Sequence, residues 1–138
     1  MEKDIAIARI EEDLGRLPEV RRACLAIVEY FSLQNKNYLE RITFGQLSKI
    51  AGLADVADIL PSVEYLSGGR LHLLDPRFEF IDQKSDYIEE LSIEDVAQAR
   101  DESIFYHPKT GEPVPDFEHS LFMFFVLSDD ARSLGRVS

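Results

Sequence analysis

Apolar residues recur every three or four positions through the first third of the chain. Ile7, Ile10, Leu14 and Leu17 fall on one face of a predicted helix. Val20, Cys24, Ile27 and Phe31 do the same in a second, with Ala23 and Val28 widening the stripe. Pro18 separates them, because proline suits a first helical turn and not a helix interior. The polar stretch QNKNY, residues 34–38, ends the second helix. Thr43 and Gln46 are spaced as a capping box, in which the hydroxyl takes an early backbone N–H and the amide reaches back. Phe44, Leu47, Ile50 and Ala51 supply that helix's buried face, and Gly52 suits the left-handed residue that closes it.

A further helix follows, with apolar positions Val56, Ile59, Leu60, Val63 and Leu66. Asp55 and Asp58 compete as its cap. Pro61 favours a start or bend near Asp58, since proline costs nothing in a first turn and kinks an interior. Gly68 and Gly69 stop the helix. RLHLLDPRFEFID, residues 70–82, has β-prone residues on both sides of Asp75-Pro76-Arg77, which predicts a short hairpin turning there.

Helix, capped helix, corner, helix, Gly-Gly and hairpin follow in an order that resembles a winged helix-turn-helix domain, over about Val20 to Asp82. The resemblance rests on that order, on Gly52 between the helices and on the placement of the hairpin. Beyond it, Ser92 can cap a helix through Val96 and Arg100, with Glu94 and Asp95 at its positive end. IFYHPKTGEPVPD gives an aromatic strand-like start and a solvent-facing turn. Asp116 is placed to cap a last helix, FEHSLFMFFVLS, on which Phe117, Leu121, Phe124 and Phe125 share a face; Leu121–Leu127 alone also fits a buried strand, and length favours the helix. The expected fold is α+β, mainly α, as a single domain over 1–138. N-terminal helices (1–40) lead into a winged-helix-like core (41–82). An acidic helix, a turn and a helical C-terminal extension complete it (83–138).

A chain of 138 residues is long enough to bury one core holding roughly two thirds of its unfolded surface. The N-terminus has acidic residues where a secretion signal carries basic ones, and no run approaches the roughly 18 apolar residues of a membrane helix, so a cytoplasmic location is expected and no membrane partner. Cys24 is the only cysteine, which excludes an internal disulfide and makes it a core thiol on its helix stripe.

A net charge of −11 opposes binding to polyanions. The excess concentrates in residues 85–102, with seven acidic residues against Arg100, while the chain through Thr43 is nearly balanced. The resemblance implies DNA reading through the third helix, which requires Arg, Lys, Asn or Gln on its outer face. With Ile59, Val63 and Leu66 inward, a turn of about 100° per residue points Ala57, Asp58, Pro61 and Tyr65 outward, flanked by Ser62 and Glu64. None is a usual base reader. Asp58, Pro61, Ser62, Glu64 and Tyr65 instead form a candidate protein-binding face, acidic and aromatic. If DNA is bound, the contacts fall to Arg16, Arg21 and Arg22, or to Arg70, His72 and Arg77 of the wing.

His72, His107 and His119 are scattered, and no HExxH, phosphate loop or GxSxG occurs. Glu89-Glu90 and Glu94-Asp95 read as solvated helix charges. No catalytic residue, metal site or cofactor is expected. The leading expectation is a non-catalytic interaction or assembly module of a bacterial-type regulatory or multicomponent system. Its partner is another protein, with a homodimer as one option. The alternatives are a dimeric DNA-binding transcriptional regulator and an acidic chaperone or nucleic-acid mimic.

Overall fold

The computed structural model describes residues 1–33 and 39–135, so the helix stop read at QNKNY lies outside the described residues. The chain divides into two compact units: residues 1–75 with 125–138, and the continuous stretch 76–124 between them in sequence.

In the first unit, α1 (Lys3–Leu14) buries Ala6, Ile10 and Leu14, an i, i+4, i+8 stripe. This corrects the expected face. Ile7 is at its margin and Leu17 is exposed, because the helix ends at Leu14 and Leu17 falls in the connector before Pro18. Pro18 does start α2 (Pro18–Leu33), which buries Ala23, Cys24, Ile27, Val28 and Phe31. Helix α2 is the hub of this unit and packs against α1, against α3 (Phe44–Ile50), and against α4 (Leu60–Leu66). Thr43 caps α3 through its hydroxyl, which accepts from Gln46 N–H at 3.1 Å, and Gly52 takes φ +73° after the helix.

Both aspartates weighed as caps come before α4, which starts just after Asp58 and has no side-chain cap of its own; the one that caps is Asp55. Its carboxylate accepts from Ala57 N–H at 3.0 Å and starts a 3-10 turn, Val56–Ile59. The α-helix begins after that turn with Pro61 in its first turn, where no N–H is required. Leu71, Leu73 and Leu74 are fully buried beyond it.

Two expectations for the remainder fail. Asp75-Pro76-Arg77 is not a turn: β1 (Leu74–Ile81) runs through it, and β2 (Ile88–Leu91) pairs antiparallel with β1 only from Phe78 to Ile81. Pro76 thus precedes the stretch that must donate to β2, where a missing N–H costs least. The reversal occurs at 82–86. There the Asp82 carboxylate accepts from Lys84 N–H at 2.9 Å and Ser85 Oγ–H at 2.8 Å, and Asp86 adopts φ +59°. Aspartate turn chemistry of this kind outcompetes the Asp-Pro signal.

The C-terminal helix also fails. Asp116 adopts φ +50° and caps nothing, Phe117–Ser120 is a 3-10 turn, and Leu121–Leu127 is a strand, β3. A sheet edge was available to this aromatic and branched run, and its helical spacing was incidental. The strand order is β2-β1-β3. Ser92 caps α5 (Ile93–Glu102) as expected, accepting from Asp95 N–H at 3.0 Å. A one-turn helix, α6 (Asp129–Arg132), is capped by Ser128. The fold is α+β and mainly helical.

The second unit has its own core of Phe78, Phe80, Leu91, Val96, Ala99 and Phe105, with Tyr87, Val114, Phe117, Leu121 and Met123 packed around it. Arg100 clamps Glu118 with two bonds of 2.8 and 3.1 Å and lies over the Phe78 ring.

Candidate functional site

The face expected to meet a partner is only partly where the sequence placed it. Asp58, Pro61 and Glu64 are exposed. Ser62 is 1 % exposed and points into the unit, which removes it from the surface. Ser62 lies three residues after Ile59 and four before Leu66, both fully buried, so it shares their face of the helix. Two apolar residues of the stretch face outward: Val56 is 47 % and Leu60 48 % exposed. The outer face therefore joins Val56, Leu60 and Pro61 with the carboxylates of Asp55, Asp58 and Glu64.

Tyr65 is half-buried and already partnered. Its hydroxyl donates to Asp13 Oδ2 at 2.6 Å, and Arg70 donates to both Asp13 oxygens at 2.9 and 3.1 Å. The Arg70 guanidinium, and then the Tyr65 hydroxyl, hold the Asp13 carboxyl below its ordinary range. Burial, with the Asp13 charge beside it, pushes the Tyr65 phenol above its ordinary range, so it stays a neutral donor. Asp13 carried no signal in the sequence: its partners are 52 and 57 positions away. Cys24 packs beneath α4 with its thiol pushed up to about 11 by burial, an inert core thiol.

The arginines named for nucleic acid are largely committed to carboxylates. Arg21 pairs with Glu11 at 2.9 Å, Arg70 with Asp13, Arg77 with Glu90 at 3.3 Å, and His72 with Asp75. Arg16 and Arg22 are exposed. On the 3-10 turn and α4 themselves, from Asp55 to Leu66, there is no Lys or Arg at all.

The second unit holds a cleft of about 510 Å³ that sequence reasoning missed, with Phe80, Asp82, His107, Glu112, Asp116 and His119 among its walls. His107 is its centre. The ring stacks on Tyr87 at 5.4 Å and meets the Phe80 ring edge-on at 5.0 Å. Nδ1 accepts from the backbone N–H groups of Lys109 and Thr110, at 3.1 and 3.3 Å, so in this arrangement the proton is on Nε2, which donates to Asp82 Oδ2 at 3.0 Å. Donation from Lys84 N–H, the Ser85 hydroxyl and His107 holds the Asp82 carboxyl down to about 2.

An Asp–His pair in a cleft resembles acid/base machinery, but both ring nitrogens are occupied, leaving neither for a substrate proton. What the pair accomplishes is mechanical: it ties the 107–111 turn to the 82–86 turn. The exposed Pro108–Glu112 loop was legible as a turn; the buried role of His107 was not, since Asp82 is 25 positions away.

Among the described residues no three His, Cys, Asp or Glu side chains are grouped to hold a metal ion, and no helix is long and apolar enough to cross a membrane. Comparison of the chain with protein-family models, with curated proteins and with solved structures found no match.

Proposed function

We propose that the chain is a non-catalytic, cytoplasmic protein-interaction or assembly module, with a winged-helix-like first unit that docks a partner through the outer face of α4. The observation that carries this reading is the composition of that face: Val56, Leu60 and Pro61 exposed among Asp55, Asp58 and Glu64, with no cation between Asp55 and Leu66. Half-exposed aliphatic residues grouped together give apolar area to bury against a partner, and the surrounding carboxylates select one carrying lysine or arginine around its own apolar patch. A phosphate backbone meets the same carboxylates as repulsion.

The winged-helix reading draws support from one long-range pair. Ile42, between α2 and α3, exchanges backbone bonds of 2.9 and 2.8 Å with Phe125 of β3. That gives a helix, a bridging residue, two helices and then strands, the order of the winged helix.

The test is capture from native lysate on immobilised protein, wild type beside Leu60→Asp, with a parallel titration of mixed-sequence duplex DNA at about 50 mM salt. The expected result is a protein retained by the wild type and lost with Leu60→Asp, and no DNA binding. Salt-sensitive micromolar DNA binding that is abolished by Arg22→Glu sinks the proposal in favour of a DNA-binding regulator.

A further inference from the structure

Strand β2 leaves one of its edges open. Asp82 N–H donates to Tyr87 C=O at 2.8 Å, and the register pairs Phe80 with Glu89 and Phe78 with Leu91. In an antiparallel ladder, bonded and non-bonded pairs alternate. Residues 87, 89 and 91 therefore turn their backbone groups toward β1, and Ile88 and Glu90 turn theirs to the outside. Strand β2 is at the end of the order β2-β1-β3, so this edge has no strand beside it among the described residues.

Beside the edge runs a groove of about 320 Å³. Its apolar lining includes Leu91, Ala99 and Phe105, and its rim has the carboxylates of Glu89, Asp95 and Glu102. Tyr106, 55 % exposed, and Ile88, 58 % exposed, add apolar surface in the same unit. Unit charge decides what fits. Residues 76–124 hold four Lys and Arg against twelve Asp and Glu, a net charge of −8.

We propose that β2 and this groove take an extended, lysine- or arginine-rich segment of another protein, added as a further strand. Its backbone bonds to Ile88 and Glu90. Alternate side chains drop into the groove, an apolar one onto Leu91 and Ala99, with cations meeting Glu89, Asp95 and Glu102. A second copy of this chain is a poor occupant, because β2 against β2 brings Glu89 and Glu90 of the two copies together, and like charges across strands destabilise the pairing. The carboxylates thus guard the edge against self-association and select for a basic guest.

The site is independent of the α4 face, and the experiment keeps the two apart. The full chain is titrated at about 50 mM salt with three labelled short peptides: a lysine–valine peptide whose every second residue is threonine, so that lysines and valines share one face; a glutamate–valine peptide built the same way; and a lysine–proline peptide, the first with proline for threonine. The lysine–valine peptide is expected to bind, the glutamate–valine peptide not to, and the lysine–proline peptide to bind at least about tenfold more weakly for want of backbone donors. Ile88→Pro removes only an outward N–H and should weaken the lysine–valine peptide about tenfold, as should the exposed charge reversal Glu102→Lys, with far-UV circular dichroism unchanged for both. Leu60→Asp should leave this binding as it is. No binding of the lysine–valine peptide, equal binding of the proline peptide, or indifference to both Ile88→Pro and Glu102→Lys overturns the proposal.

Discussion

The two units solve the problem of a small fold in different ways. Residues 1–75 and 125–138 assemble helices around α2 and bury long aliphatic and aromatic side chains completely, among them Ile10, Ile27, Phe31, Leu47 and Leu66. Their charges nearly cancel, eleven Lys and Arg against fourteen Asp and Glu. Residues 76–124 have a smaller core around Phe80 and carry most of the net charge. The backbone differs in the same sense. The described left-handed sites of the first unit are glycines, Gly52 and Gly135, whereas the second adopts positive φ at Asp86, Ser103 and Asp116 as well as Gly111. Dense apolar burial can hold a fold to low-strain backbone; a small, charged unit relies more on turns, ion pairs and the His107–Asp82 tie. The first unit is held chiefly by packing, while the second carries an acidic surface at a cost in self-repulsion.

The largest expected effects come from emptying each core in turn. Phe31→Ala and Phe80→Ala each remove a fully buried ring and should cost about 3–5 kcal/mol by chemical denaturation. Hydrogen exchange then tests the comparison: Phe80→Ala should strip protection first from amides of 76–124, and Phe31→Ala first from the helices of the other unit. If both variants strip the whole chain equally, the division has no energetic counterpart.

Smaller effects are expected at the left-handed residues. A Cβ on Gly135 would lie 2.4 Å from the Ser32 carbonyl oxygen at φ +77°, so Gly135→Ala should destabilise by about 1–3 kcal/mol. Ser103 closes α5 at φ +57°, where glycine is at ease; Ser103→Gly should stabilise by about 0.5–1 kcal/mol. Thermal melts of the pair check both signs, and a destabilising Ser103→Gly would remove the contrast in backbone strain.

The gentlest probe is acid. The folded Asp82 carboxyl titrates at about 2, below its ordinary 3.8, so its stabilisation is complete above about pH 4 and is lost as pH falls through 2. Unfolding curves of the wild type between pH 4 and 2 should fall more steeply than those of Asp82→Asn. Parallel curves would show that the tie between the 82–86 and 107–111 turns contributes nothing.

Legibility followed the range of the interaction. Pro18, Thr43, Gly52 and Ser92 mark element ends because caps and turns are satisfied within a few residues, and each mark holds in the structure. Where two local signals competed, the reading slipped. Asp75-Pro76 looked like the turn, but Asp82 with Lys84 and Ser85 makes it, and Ser62, read as a flank of the outer face, is inside with Ile59 and Leu66, three positions before and four after it. On the candidate face, Asp58, Pro61 and Glu64 were found because exposed polar residues announce themselves, and Leu60 was not, because an aliphatic residue at helical spacing is assumed to be buried.

By itself the sequence determined the helices of the first half, the Pro18 start, the Thr43 cap and the acid bias of residues 85–102, all of them consequences of side-chain pattern and charge. Only the tertiary structure decided that Leu121–Leu127 is a strand, since an apolar run takes whichever partner the fold presents, here a sheet edge beside β1. It alone joined Tyr65 and Arg70 to Asp13, and His107 to Asp82. The reason is the same for each: a bond between residues dozens of positions apart depends on the path of the chain between them, and no local pattern encodes that path.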